Sequence, residues 1–238
     1  MRGHWKRSAP VKARLHILPA GTDFDNAWTV KFRDLFSRIE EALPEGGTWC
    51  SLEKAHTLAA LVIGLRPAVV VELGVWMGGS LVPIAMAVQA LGAGKVIAID
   101  PWKAEASVAG QLEANAQWWG VQDHDDVYRR FIGRIERHQL GAFVDVYRST
   151  SIDAPKPPRI DILHIDGNHG EQALADVKRF APSVPVGGIV VLDDIEWEGD
   201  HVKMGGQWLL EHGFVTLYDI NANDTVHARC RVYQRSAP

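Results

Sequence analysis

Five acids in this 238-residue chain sit where chemistry could be done: Glu72, Asp100, Asp166, Asp193 and Asp194. Each closes an apolar run: Ala68 to Glu72, Lys95 to Asp100, Ile160 to Asp166, and Gly187 to Asp194. Such runs, with little alternation, suit strands buried on both faces of a parallel sheet. Ligands of such a sheet lie above the carboxyl ends of the strands, so the four runs would bring these acids to one rim. His169 stands three residues after Asp166, where a helical pattern begins. A neutral imidazole there could take a proton near pH 7. After Glu72 come Gly74, Gly78 and Gly79, then Leu81, Ile84, Ala85 and Val88 at helical spacing. This reads as strand, glycine turn, helix, a unit that aims backbone N–H groups and a helix N-terminus at whatever lies above the sheet.

The turn discriminates among ligands. A phosphate loop needs Gly-Lys-Ser/Thr at the helix start, and here Ser80 follows Gly79 directly. A dinucleotide loop wants G-x-G-x-x-G, and position 76 is Trp. Asp100, closing a strand after that turn, can accept two ribose hydroxyls or cap its own turn, and a ribose specifies a nucleoside without saying which. After a third strand, Phe143 to Tyr147, the small polar Ser149, Thr150 and Ser151 could meet an adenine edge or simply make a turn. Trp102, Trp197, Glu198, Asp200 and His201 lie on loops beyond strand ends and could line an acceptor pocket. His164, inside a strand, reads as a satisfied core histidine, and Trp76, inside the glycine turn, could touch the ligand but better suits packing on the N-terminal helices.

The elements that must position these residues alternate strand and helix, which predicts a doubly wound α/β sheet, mostly parallel. Phe214 to Asp219 is a further strand, and Asn221 to Asp224 turns the chain. Val226, Ala228, Cys230 and Val232 then alternate with His227, Arg229, Arg231 and Tyr233, which suits a half-buried hairpin strand at an edge. Upstream, Trp28, Phe32, Leu35, Phe36, Ile39 and Leu43 fit a helix ended by Pro44. Ser51 can cap a second helix with Leu52, Ala55, Leu58, Ala59 and Val62 inward. The two helices would form a flap outside the sheet, covering a ligand pocket or simply packing on one face. Residues 104 to 140 read as helices with a break near Gly120. Asp123-His124-Asp125-Asp126 there reads as a helix cap and dipole partner rather than a metal cluster.

Hydrophobic content of 47% and charged content of 23% fit a soluble globular chain with one sizeable core. A net charge of −4 argues against a nucleic-acid-binding polycation. No apolar run approaches the roughly 20 residues of a membrane span. Two cysteines, Cys50 and Cys230, make no framework, which suits a reducing, cytoplasmic setting. Arg2, Lys6, Arg7, Lys12 and Arg14, with no acid, make 1–22 a basic, loosely ordered arm. Residues 23–238 are then one domain, 23–66 a helical cap and 67–238 the core. Homo-oligomer formation is left open.

Glu72-x-Gly74-x-x-x-Gly78-Gly79-Ser80 resembles the first motif of class I S-adenosylmethionine (SAM) methyltransferases. Ile165-Asp166-Gly167-x-His169 with Leu192-Asp193-Asp194 is similar to metal-dependent O-methyltransferases of the catechol and antibiotic-sugar (macrocin) types, from about residue 50 onward. The resemblance implies a Rossmann-like, seven-stranded, mostly parallel sheet with an antiparallel last strand and an N-terminal helical extension. It implies SAM held by Glu72 at the amino group, Gly74, Gly78, Ser80, Asp100 at the ribose, Trp102, Ser149, Thr150 and Asp166. It also implies Mg²⁺, or another hard divalent cation, on Asp166, Asp193 and Asp194. The residue chemistry agrees: three carboxylates without a nearby thiolate make a hard-oxygen site, and they repel unless a cation or protons intervene. The expected reaction is methyl transfer to a hydroxyl of a small molecule, a sugar or a catechol-like phenol, with Asp166 and His169 catalytic. Two departures leave the base open: catechol-type relatives carry a lysine at the offset of His169, and some sugar-type relatives an acid where this chain has Asn168. The competing readings are a metal-independent methyltransferase, an NAD-type oxidoreductase and a non-catalytic SAM-binding protein.

Overall fold

The computed structural model describes residues 26–47, 49–111, 113–197 and 199–237, with side chains from Phe32 onward. The basic arm, the side chain of Trp28 and Glu198 lie outside the described residues. Helix α1 (Asn26–Ala42) runs into a 3-10 turn (Leu43–Gly46), and α2 (Leu52–Leu65) follows. The Ser51 hydroxyl accepts the Lys54 backbone N–H at 2.9 Å, the cap that the spacing predicts. Ala55, Leu58, Ala59 and Val62 are buried as expected, but Leu52 is 45% exposed. Its inward place is taken by Lys54, only 3% exposed. Residues 54, 58 and 62 lie one turn apart on a single stripe, so the lysine is carried inward by its helical phase.

Then come β1 (Val69–Leu73), α3 (Leu81–Leu91), β2 (Lys95–Asp100), α4 (Ala104–Val108), α5 (Glu113–Gly120) and α6 (His124–Arg137). Asp123 caps α6, its carboxylate accepting the Asp126 N–H at 2.9 Å. The chain continues through β3 (Val144–Arg148), β4 (Ile162–Ile165), α7 (Glu171–Phe180), β5 (Ile189–Leu192), α8 (His201–Glu211), β6 (Phe214–Ile220) and β7 (Cys230–Arg235). The seven strands form one sheet in the order β3-β2-β1-β4-β5-β7-β6, with β7 antiparallel to both of its neighbours. Residues 221–229 join β6 to β7, fewer than the dozen or more that a parallel crossover needs. β7 begins later than the alternation predicts. Asp224 Oδ1 accepts the N–H groups of Val226 (2.7 Å) and His227 (3.1 Å), and this local turn competes with the ladder.

Helices cover both faces. α1, α2, α3 and α6 pack on one, α7 and α8 on the other. The helices before β1 therefore pack on one face of the sheet as a layer of the core, one of the two placements expected of them. Side chains alternate faces along a strand. Val70 faces the first layer while Val71 and Leu73 face the second, so Glu72 faces the first. The same parity sends His164 and Asp193 to the first layer, beneath α2. Glu72 and His164 are register partners on adjacent strands. Among the described residues, no helix is long and apolar enough to cross a membrane.

Candidate functional site

A cavity of about 1030 Å³ lies over the carboxyl ends of β1, β2, β4 and β5. Strand order reverses between β1 and β4, which opens a crevice there. Of the residues singled out in the sequence, Gly74, Ser80, Asp100, Thr150, Asp166, His169, Asp193 and Asp194 line the cavity. Glu72, Gly78, Trp102 and Ser149 do not.

Those four stand behind the wall, for identifiable reasons. Glu72 is fully buried and faces the α2–α3 side. One of its oxygens accepts the Ser80 hydroxyl at 2.7 Å, and the other lies 3.3 Å from His164 Nδ1. Gly78 has φ +76, and a Cβ there would meet the Phe131 ring at 2.9 Å, so it serves helix packing. Trp102 is buried, donates Nε1–H to the Trp76 carbonyl at 2.9 Å and stacks on Phe131. The Ser149 hydroxyl is buried away from the cavity. Gly74 is on the wall, but its φ of +82 and a Cβ that would collide with the Asp166 carbonyl show what requires the glycine. It lets the turn after β1 nest against the end of β4.

Asp100 clamps the glycine turn. Its Oδ2 accepts the N–H groups of Val75 and Trp76, both at 2.9 Å, and its Oδ1 that of Trp102 at 2.7 Å. Burial pushes its carboxyl up, and the three N–H groups oppose that. Trp76, Trp102 and Asp194, which follow β1, β2 and β5, all have φ between 42° and 53°. Non-glycine residues held in this region mark a rim whose backbone is over-determined by its surroundings.

The acids after β4 and β5 do not form a trio. Lys54 donates its ammonium protons to Asp166 Oδ2 at 2.7 Å and to Asp193 Oδ2. Burial alone would lower the ammonium's pKa, but Asp166 together with the other neighbouring groups more than reverses this, and the same ammonium holds Asp166 below the usual carboxylate range. Asp193 Oδ1 accepts the Asp194 N–H at 3.0 Å and the Cys230 thiol proton. Asp194 turns away and its Oδ2 meets His169 Nε2 at 2.6 Å. His164, expected as a satisfied core histidine, is fully buried with neither ring nitrogen hydrogen-bonded. Its Nε2 lies 3.6 Å from Asp193 and 4.0 Å from Asp166. One ligand-type atom each from His164, Asp166 and Asp193 falls within 4.8 Å of the others. The ammonium between the two carboxylates nonetheless stands where a dication would have to sit. As arranged, these residues suit Lys54 and do not fit Mg²⁺ on Asp166, Asp193 and Asp194.

The cavity has two ends. Over β4 and β5, His169 stacks on Trp197 with ring centroids 4.2 Å apart, and His201 lies nearby on the wall. Asp200 is not on the wall. Over β1 and β2, Trp76 joins Trp49, Trp118 and Trp119, with centroids 5.8, 6.1 and 4.8 Å from it. Trp76 therefore packs, but as part of an aromatic wall of the cavity.

A family model described as a methyltransferase domain matches residues 71–195, over half of the chain. The chain belongs to that family. With the strand order above, it is a class I, SAM-dependent methyltransferase. The methyltransferase is similar to the O-methyltransferase NovP at 17% identity and a TM-score of 0.62, with 89% of this chain and 98% of NovP covered. It is similar to the O-methyltransferase TomG from Streptomyces achromogenes, involved in tomaymycin synthesis and solved with SAM, at 14% identity and a TM-score of 0.58 (89% and 97% covered). Cofactor-bound Rv0187 from MTB matches at 15% identity and a TM-score of 0.60 (92% and 94% covered). At these identities the likeness is one of fold. No curated protein matches the chain.

Sequence reasoning missed Lys54, Trp49, Trp118 and Trp119 in the methyltransferase's cavity wall. Lys54 had a signal: it stands on the apolar stripe of α2, four residues before Leu58. The tryptophans had none beyond their number, because the loops carrying Trp49 and Trp76 and the helix α5 carrying Trp118 and Trp119 come together from separate parts of the chain.

Proposed function

We propose that this enzyme methylates a hydroxyl oxygen of a small molecule, a sugar or a phenol, with His169 as base and Asp194 as its positioning partner. The observation that carries this reading is the 2.6 Å contact between His169 Nε2 and Asp194 Oδ2 on the cavity wall. SAM supplies a methyl group on a sulfonium. The glycine turn, Asp100 and a cavity of about 1030 Å³ fit a nucleoside-sized ligand. Gly74, Ser80, Asp100, Thr150 and Asp166 are the residues we assign to it. In the transfer the acceptor oxygen's lone pair forms the new C–O bond, and the C–S bond breaks with its pair staying on sulfur. The acceptor's proton leaves to His169, whose Nδ1 is buried without a hydrogen-bond partner among the described residues and meets an acceptor only once the ring is uncovered. Asp194 accepts the Nε2–H and so fixes the tautomer that leaves Nδ1 basic. Trp197 holds the plane of the ring. Near-attack geometry of this kind can supply about 7–11 kcal/mol of the barrier.

NovP and TomG, both described as O-methyltransferases, support oxygen as the methylated atom. The catalytic unit is taken as 23–238, with 23–66 contributing Lys54 to the site. A cytoplasmic setting goes with this reading, supported by two buried, unpaired thiols. The Mg²⁺ expected on Asp166, Asp193 and Asp194 is not carried into it, because Lys54 and His169 hold those carboxylates. Calorimetry with SAM, followed by a radiolabelled-methyl screen of phenols and sugars, tests the reading. Heat from SAM and label in an ether product are expected. No SAM heat under any condition would end it.

A further inference from the structure

We propose that Lys54 is the resident cation of this site: it holds Asp166 and Asp193 as a metal would and offers its remaining N–H to the acceptor's oxygen, so that transfer needs no divalent ion. The second half rests on the methyl-transfer reading above. The first half stands on geometry alone.

A lysine ammonium has three N–H donors. Asp166 Oδ2 and Asp193 Oδ2 take two, and the third is left on a side chain that lines the cavity. Both oxygens of Asp193 are engaged: Oδ2 by Lys54, and Oδ1 by the Asp194 N–H and the Cys230 thiol proton. Asp194, the remaining acid of the expected trio, is held by His169. A dication entering here would meet an ammonium at close range in a buried place, where like charges are poorly screened. Lys54 cannot simply swing into water either. It projects from the first turn of α2, on the same stripe as Leu58 and Val62, and is 3% exposed. A fixed ammonium aimed at the acceptor oxygen does part of what a metal does: it orients the hydroxyl and stabilises the negative charge that develops as the proton leaves.

Mn²⁺ binding by the full chain, read by electron paramagnetic resonance, tests the first half without SAM or acceptor. The unaltered protein is expected to leave the free-ion signal unchanged. Lys54→Ala is expected to take up Mn²⁺, and a Lys54→Ala, Asp193→Asn double variant to lose it again. Stoichiometric Mn²⁺ on the unaltered protein, removed by Asp193→Asn, would overturn the proposal, and so would a folded Lys54→Ala that binds none. If Lys54→Ala does not fold, the titration of the unaltered protein decides. For the second half, EDTA should leave turnover intact. Lys54→Met should lower kcat by about 10²–10³, the scale of a lost oxyanion donor. Because Lys54 also holds Asp166, which we assign to SAM, kcat is compared at saturating SAM. An unchanged kcat in Lys54→Met, or turnover abolished by EDTA and restored by Mg²⁺, would refute it. Failure to bind SAM at all would sink the methyl-transfer reading and leave the Mn²⁺ result standing.

Discussion

Asp166 and Asp193 reach the same point from neighbouring strands, and what they meet there is an ammonium from a helix more than a hundred residues earlier in the chain. Asp194 is one residue from Asp193 yet serves a different partner, because the strand has ended and its backbone, at φ 53, redirects the side chain to His169. If that pair handles the proton, His169→Ala should lower kcat by about 10²–10⁴. Asp194→Asn should lower kcat while SAM affinity by calorimetry stays constant, and it should alter the pH–rate profile, which a purely structural role would not do. The thiols make a second prediction at this scale. Burial pushes Cys50 and Cys230 up to about 12, well above the roughly 8.5 of a free thiol. Both should resist a thiol reagent at pH 8 until denaturant is added. The sign for stability follows: above about pH 8.5 the unfolded chain loses thiol protons that the folded chain keeps, so ν_U falls below ν_N. Their contribution is intact below that pH and is lost progressively towards pH 12. Urea midpoints measured from pH 7 to 10 should fall, and less so in a Cys50→Ala, Cys230→Ala variant.

Helix α2 is positioned by its first turn. Ser51 caps it and donates its hydroxyl proton to Asn221 Oδ1 at 2.6 Å, while the Asn221 N–H reaches Glu53 at 3.1 Å. The turn between β6 and β7 thus pins the helix that carries Lys54. Ser51→Ala removes the cap and that buried bond together, and should cost about 1–2 kcal/mol in urea unfolding. Two glycines with opposite surroundings offer a contrast. Gly133 lies mid-way along α6 with nothing within 4 Å of an added Cβ, so Gly133→Ala should stabilise by up to about 1 kcal/mol. Gly74→Ala drives its Cβ into the Asp166 carbonyl from a left-handed φ, and should abolish soluble folded protein. A tolerated Gly74→Ala would mean that the turn after β1 and the end of β4 can separate.

For the whole molecule, binding that favours the folded state must raise its melting temperature. SAM at about 100 times its Kd adds about 2.7 kcal/mol, or roughly 5–10 °C for a chain of this size. The shift is expected in EDTA as well as in Mg²⁺, and is checked by thermal unfolding with SAM or its demethylated product. What the amino-acid sequence determined alone was local: the strands, the glycine turn, the Ser51 and Asp123 caps, and five acids at strand ends, because period and turn chemistry act over a few residues. Val226 to Arg229 misled because a side-chain turn at Asp224 displaced the ladder that their alternation suits. Glu72 could be placed at a strand end, but which layer it faces depends on which helices cover that side of the sheet. Only tertiary structure decided that Lys54 fills the space between Asp166 and Asp193, that Asp194 pairs with His169, and that Trp49, Trp76, Trp118 and Trp119 share one wall. These pairings join segments tens to more than a hundred residues apart. No local periodicity encodes which charge meets which; packing of α2 across the sheet does.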